Sequence, residues 1–207
     1  TTNVLTASAA TGIGSGADPL DTTIATLAAS TSGTGPIAVN ETNGVTLINV
    51  IAANGPVTVT ACGTINAHKV VSSTDADAND IALTATGGGS LAIDEVNAGT
   101  ANGDVLLSAT TGAATITTNA NGRVTGDTLT ATAVNGINVT TTANSADLSV
   151  TGAGALVVRE LNALALTDVD TANGPITVTA GGTVTATDVR SLTDADANDI
   201  ALTATVG

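Results

Sequence analysis

The side chains of this chain best equipped for chemistry are oxygen donors, and they come in a repeated cluster. Asp75, Asp77, Asn79 and Asp80 lie in the hexapeptide DADAND, which returns as Asp194, Asp196, Asn198 and Asp199. Hard oxygen ligands at alternate positions are what a flexible loop uses to gather Ca²⁺. Two features depart from a tight calcium loop: the sixth residue is Asp80 rather than Gly, and the twelfth is Thr86 rather than a bidentate Glu. These departures favour a solvated polar corner, with Ca²⁺ as the alternative and the one cofactor the chain offers ligands for.

Other reactive groups are isolated. Glu41 and Glu160 are the kind of carboxylate pair that glycoside hydrolysis needs, but 119 residues separate them. His68 is the only histidine and Cys62 the only cysteine. Their counterparts one repeat later are Thr187 and Gly181. A Ser-His-Asp or Cys-His device needs its histidine, and a disulfide within the chain needs a second cysteine. No phosphate loop, zinc spacing or dinucleotide fingerprint occurs. No enzyme is expected.

These residues sit on a repeating scaffold. Residues 53–86 and 172–205 are identical at 26 of 34 positions. Upstream, Gly33, Gly35, Val39, Glu41, Asn43, Leu47 and Val50 recur at the same offset. The units run approximately 33–151 and 152–207, the second incomplete, and 1–32 reads as the end of a preceding unit. Within a unit, segments of the form apolar–x–apolar–x–small begin at Val57, Ile81, Val105 and Leu129, evenly spaced, and again at Ile176 and Ile200 with the same step. Shorter relatives begin at Ile37 and Leu156, each a slightly smaller step ahead of Val57 and Ile176. Alternation with period two is a strand signal, because side chains at i and i+2 share a face. Gly-, Asn- and Asp-rich corners separate the strands.

The expected fold is an all-β parallel solenoid, one continuous body over 1–207, with about 8–9 coils of roughly 24 residues and five coils to the 119-residue unit. Tandem β-sandwiches are the alternative, because Asn-Gly pairs also mark hairpins. Composition favours the solenoid. The chain has 43% hydrophobic residues but no Phe, Tyr, Trp or Met. Aliphatic side chains alone suit a thin interior that is the same at every level. In such a stack the Asn and Asp corners fall into columns. They include Asn54, Asn79-Asp80, Asn102, Gly126-Asp127, Ala146-Asp147, Asn173 and Asn198-Asp199.

Charge narrows the partners. With 18 acidic and 4 basic residues the net charge is −14, which repels nucleic acid and anionic membranes. No apolar run reaches the length of a membrane span, and no membrane insertion is expected. The chain starts without Met inside a strand-like pattern, which reads as a processed chain or a window cut from a longer array. Thr-x-Thr pairs such as Thr58/Thr60 and Thr177/Thr179 raise ice binding as a remote alternative, but the first of each pair changes to Ala82, Leu106 or Ala201 elsewhere.

Segments such as NDIALTATGGGSLAIDEVNAG and GDTLTATAVNGINVT resemble the β-strand repeats of filamentous-haemagglutinin-like proteins and other giant bacterial surface adhesins. The resemblance implies a right-handed β-helix, secretion to the bacterial cell surface, and a role as stalk, adhesin or filament. It carries no binding residue across, and the aromatic-free core and the 119-residue superperiod depart from it. The function expected is a structural repeat module of an extracellular or cell-surface fibre, with a ligand-binding adhesin domain as alternative. Its partners would be other copies of itself, stacked end to end, and a cell-surface or matrix ligand.

Overall fold

Val, Ile and Thr dominate the alternating segments, and these β-branched residues favour the pleated, half-buried surface of a sheet. In a computed structural model, which describes residues 3–205, these segments form 19 strands. All strand pairings are parallel, and no helix occurs among the described residues. The chain winds as a β-solenoid with two faces. The second face carries ten strand levels, from Val4 through Thr46, Thr117 and Thr177 to Ala201. The first face carries nine, from Leu20 through Val59, Ala131 and Val169 to Val189. That makes about nine and a half turns, more than the eight or nine expected, and a rod roughly 45 Å long at ~4.8 Å per level.

The core is one aliphatic column per strand position. Val45, Ile65, Leu91, Ile116, Ile137, Leu156 and Ile176 lie one above another, as do Ile37, Val57, Ile81, Val105 and Leu129, and all are buried. Burying each such side chain is worth about 1.5–3 kcal/mol. Two sheets only ~10 Å apart leave no room for a ring at one level that the next level lacks, which accounts for the missing aromatics.

The coils are asymmetric, and the asymmetry changes sides. In the N-terminal half the first face holds one five-residue strand per coil: Ile37–Glu41, Val57–Ala61, Ile81–Ala85, Val105–Ala109 and 129–133. The second face holds a longer, bent run: Val45–Asn54, then Ile65–Ala67 with Val70–Ser72, then Leu91–Asn97 and 116–125. In the C-terminal half the assignment is exchanged. Short strands 137–141, Leu156–Glu160, Ile176–Ala180 and Ile200–Ala204 occupy the second face, while Leu164–Asn173 and the pair Val184–Ala186 and Val189–Ser191 occupy the first.

The exchange happens where two short strands follow each other with no bent run between them. Strand 129–133 ends on the first face, the three-residue corner 134–136 turns the chain, and 137–141 lands on the second. Gly136 makes that corner at φ 132°, in a region that favours glycine. A matching corner precedes Ile13, where Gly12 has φ 137° between strand Val4–Ala9 on the second face and the bridge Ile13–Ile37 on the first. The sequence ATG-I at 10–13 mirrors VNG-I at 134–137.

The expectation of five coils per unit is thereby corrected. The steps from Ile37 to Val57 and from Val57 to Ile81 hold one coil each, but the step from Leu129 to Leu156 holds one and a half, because it contains this extra crossing. The 119-residue unit spans five and a half coils, and its two copies face opposite ways. Ala146-Asp147, expected in a corner, instead lies within strand Ile137–Ala153, with Ala146 buried over Leu129.

Candidate functional site

The DADAND corners are built as latches between coils. Both carboxylate oxygens of Asp75 are engaged by the next turn. Ala101 donates its backbone N–H to Oδ2 at 2.9 Å, and Asn102 and Gly103 donate to Oδ1 at 2.8 and 3.0 Å. These N–H groups, led by that of Ala101, hold the Asp75 carboxyl below the usual carboxylate range. The fit depends on Gly99 (φ 95°), where an added Cβ would fall 2.3 Å from the Asp75 carboxyl carbon. Asn79 is buried, and its amide donates to Asn54 Oδ1 at 2.8 Å and to the Thr74 carbonyl at 2.9 Å. Asp80 accepts the N–H of Asp104 at 3.0 Å, and Asp104 in turn accepts that of Thr128 at 2.9 Å.

In the second copy Asn198 repeats the bonds of Asn79, to Asn173 Oδ1 and to the Thr193 carbonyl, both at 2.9 Å. Asp194 takes the place of Asp75 in the last described turn, with no coil above it among the described residues; Asp196 and Asp199 lie beside it. The alternating oxygens do not converge in either corner. Among the described residues no three His, Cys, Asp or Glu side chains form a group suited to a metal ion. Of the oxygens proposed for Ca²⁺, those of Asp75 and Oδ1 of Asp80 accept turn N–H groups.

Glu41 and Glu160 are a second repeated device. They stand in columns otherwise filled by small or apolar residues, Glu41 under Ala61 and Ala85, and Glu160 under Ala180 and Ala204. Their exposures are 1% and 3%. Thr22 Oγ1 and the Ile24 N–H donate to Glu41 Oε2 at 2.7 and 2.9 Å, and the Asn43 N–H donates to Oε1 at 3.2 Å. Thr141, Ala143 and Asn162 make the same three bonds to Glu160 at 2.7, 2.9 and 2.8 Å. Each carboxylate staples its own turn to the coil before it. They lie on opposite faces about 26 Å apart along the axis, five and a half levels at ~4.8 Å, which rules them out as an acid–base pair.

The least regular surface lies at the bend of the second face. There the corner residues of successive coils stack as two ladders. His68 Nδ1 meets Asp94 Oδ2 at 2.5 Å, and Asn119 Nδ2 donates to Asp94 Oδ1 at 2.5 Å. Beside them, Lys69 Nζ lies 3.6 Å from Glu95 Oε2, and Arg123 is the register partner of Glu95 on the other side. The Asn119 amide, with His68 second, holds the Asp94 carboxyl below its ordinary value. The register slips here, because residues 119–122 bulge out of strand Ile116–Ala133. The bulge walls a groove of about 290 Å³ lined by Asp94, Glu95, Asn97, Asn121, Arg123 and Thr125. Among the described residues no carboxylate lies within 4.0 Å of the Arg123 guanidinium. His68 is thus the lowest rung of a polar ladder. Sequence reading missed the ladder because its partners are a whole coil apart along the chain and meet only once the coil register is known.

The first face offers hydroxyls and, further along, acids. Asn40, Thr60, Thr84, Ser108, Thr132 and Ser149 form one outward column. Its neighbour reads Ala38, Thr58, Ala82, Leu106, Thr130 and Asp147, so no two-column threonine array forms. Asp147 is pushed above its ordinary value by burial and by the charges of Asp168 and Asp170. Arg190 answers this acidity, 3.3 Å from Asp168 and 3.0 Å from Asp188. Cys62 is a free, exposed thiol.

No protein-family model, curated protein or solved structure matches the chain.

Proposed function

We propose that the chain is a structural segment of an extracellular or cell-surface fibre, a stiff spacer in a large bacterial surface protein of the filamentous-haemagglutinin-like kind. The observation that carries this reading is the unbroken stack: nine and a half turns share one aliphatic core and one parallel ladder. The repeated polar groups support it, because Asp75, Glu41 and Glu160 spend their oxygens on joining one coil to the next. Such groups stiffen a rod, and in this reading the chain has no enzymatic role.

The last turn is consistent with continued stacking. Ile200 and Leu202 are 44% and 39% exposed, whereas their counterparts Ile81 and Leu83 are at 0% under a further coil. A coil of a second copy would cover them, which is the end-to-end association proposed here. Immunogold labelling of intact cells with antibodies to the chain tests the reading. Gold along extended surface filaments is expected; a signal confined to the cytosol would refute it.

A ligand-binding adhesin domain is the second reading, favoured by the groove beside Arg123. Under that reading Arg123→Ala lowers attachment to cells or matrix while leaving the melting temperature in place. Attachment that survives the substitution removes it.

A further inference from the structure

The alternation of faces decides how a second copy of the chain can be added to the rod. Strands fall on the two faces in turn. The first described strand, Val4–Ala9, lies on the second face, and the last, Ile200–Ala204, lies on the second face again. The next level of the stack therefore belongs to the first face, above the pair Val184–Ala186 and Val189–Ser191. A second copy enters with Val4–Ala9. Laid straight on, second face over second face, it would seat that strand on Ile200–Ala204 and skip the level above Val184 and Val189. Turned by half a turn about the axis, it seats Val4–Ala9 on the pair 184–191, and Ile13 with Leu20–Thr22 on Ile200–Ala204. No level is then skipped.

We propose that the chain binds a second copy of itself head to tail, each copy turned by half a turn about the rod axis relative to the one before. The exchange of short and bent strands along the chain is what makes the turned joint fit. Val4–Ala9 belongs to the bent series, being stacked with Thr26–Thr34 and Val45–Asn54, and it meets the bent pair 184–191. Ile13 and Leu20–Thr22 belong to the short series that continues as Ile37–Glu41 and Val57–Ala61, and they meet the short strand Ile200–Ala204. The inward columns then run on across the joint. Residues 65–72 and 81–85 are the repeat counterparts of 184–191 and 200–204. Their registers place Leu5 over Ala186, Ala7 over Val189, Ile13 over Ile200 and Leu20 over Leu202. Leu5, Ala7, Leu20, Val184 and Val189 are the apolar residues packed on the core but only partly buried, and Ile200 and Leu202 are exposed. The turn 14–19 does not obstruct the joint. It stands between Ile13 and Leu20 where the level above has only outward-facing Ala38, and it packs over Ala38, which is 2% exposed, away from the end of the rod. This inference rests on the end-to-end association proposed above and adds the partner's orientation. The fibre it describes has a twofold screw, with an axial step of about 46 Å per chain, nine and a half levels at ~4.8 Å, and a full repeat of about 91 Å.

Disulfide trapping tests the orientation on the whole chain, with Cys62→Ser to remove the exposed thiol. In the turned joint the outward residue over Thr203 is Asp21, through the column Asp21, Asn40, Thr60 and Thr84, the last being the counterpart of Thr203. In the straight joint it is Thr6, because the second-face columns carry Leu5 to Leu202. Neighbouring strands ~4.8 Å apart bring Cα atoms within the range a disulfide spans. Within one chain, either pair lies at opposite ends of the rod and cannot close. Mild oxidation in high salt, which screens the repulsion between chains of net charge −14, should convert Asp21→Cys with Thr203→Cys into a ladder of linked dimers and higher species on a non-reducing gel. Thr6→Cys with Thr203→Cys should stay a single chain. A ladder from the second variant alone, or equal ladders from both, overturns the half-turn and leaves end-to-end association standing. No ladder from either overturns both. Electron microscopy of the linked product gives an independent reading: a repeat of about 91 Å with a twofold screw is expected, and an exact repeat at about 46 Å overturns the proposal.

Discussion

At the scale of single residues, buried and corner carboxylates join one coil to the next. Asp75 is stabilised in its charged form by three N–H groups of the following turn, so its folded pKa lies below its unfolded one. A depressed carboxylate adds stability that is fully present above the unfolded value, about 3.9, and is lost as pH falls through the lower folded value. Asp75→Asn should therefore lower the melting temperature at pH 7, and the gap from the parent chain should close as pH drops below about 4. Millimolar Ca²⁺ should leave both melts where they are; a rise in the parent alone would reinstate a metal at this corner. Asp147 works the other way. Burial and the charges of Asp168 and Asp170 raise its folded pKa, so its contribution is present at low pH and lost as pH rises through the folded value. Asp147→Asn should melt higher than the parent at pH 7, and this advantage should vanish in acid. Glu41 gives the largest expected loss. Glu41→Ala strips the acceptor from the Thr22 hydroxyl and from the part-buried N–H groups of Ile24 and Asn43 and empties a buried position, a loss of about 1–3 kcal/mol in all that denaturant titration should register.

At the scale of strands and corners, much was legible because period-two patterning states which side chains point inward. The inward sets starting at Val57, Ile81, Val105 and Leu129 all lie in the core. The small-residue column that Glu41 interrupts was also visible, since Ala61, Ala85 and Ala109 recur at the coil spacing. What could not be read was the face on which a strand lands. Alternation is the same on either face, so five coils and five and a half produce the same pattern of repeats. The clue was the interval from Leu129 to Leu156, too long for one coil and too short for two, with Gly136 and Ile137 restarting the alternation inside it. The groove was hidden for a related reason, because Asp94 and Arg123 come together only across a register shift. The Gly136 corner can be tested directly. At φ 132° a β-branched side chain is strained, and Gly136→Val should cost about 1–3 kcal/mol. Gly126→Ala is a suitable comparison, with no positive φ and its nearest Cβ contact at 3.1 Å from a Val105 side-chain carbon. If both substitutions cost the same, the half-turn does not depend on that glycine.

At the scale of the whole molecule, each coil packs chiefly against the coils above and below it, the Asn144 amide bond to the Thr100 carbonyl two coils back being an exception, so stability is close to a sum of nearest-neighbour terms rather than the property of one compact core. The ladders make those terms nearly uniform: the same aliphatic column, the same hydroxyl-to-carbonyl bonds at Thr86 and Thr205, and the same glutamate staple in each copy. A uniform stack has no internal boundary at which to break first. Pulled from its two ends, it should peel from an end, coil after coil. Each full-length coil then releases about 80 Å of chain at roughly 3.3–3.6 Å per residue, and each shortened coil about 70 Å. The staples refine the expectation. The coil joints at Glu41, Asp75 and Glu160 each hold three charge-assisted bonds, so peeling should pause there. Glu160→Gln keeps the side chain but removes the charge, and it should shorten the pause near the C-terminal end while leaving the one at Glu41 in place. Force spectroscopy reads both features in one trace. Two large releases, each the length of a whole repeat unit, would mean that the copies behave as separate domains, and the shared core would then not govern the mechanics of the rod.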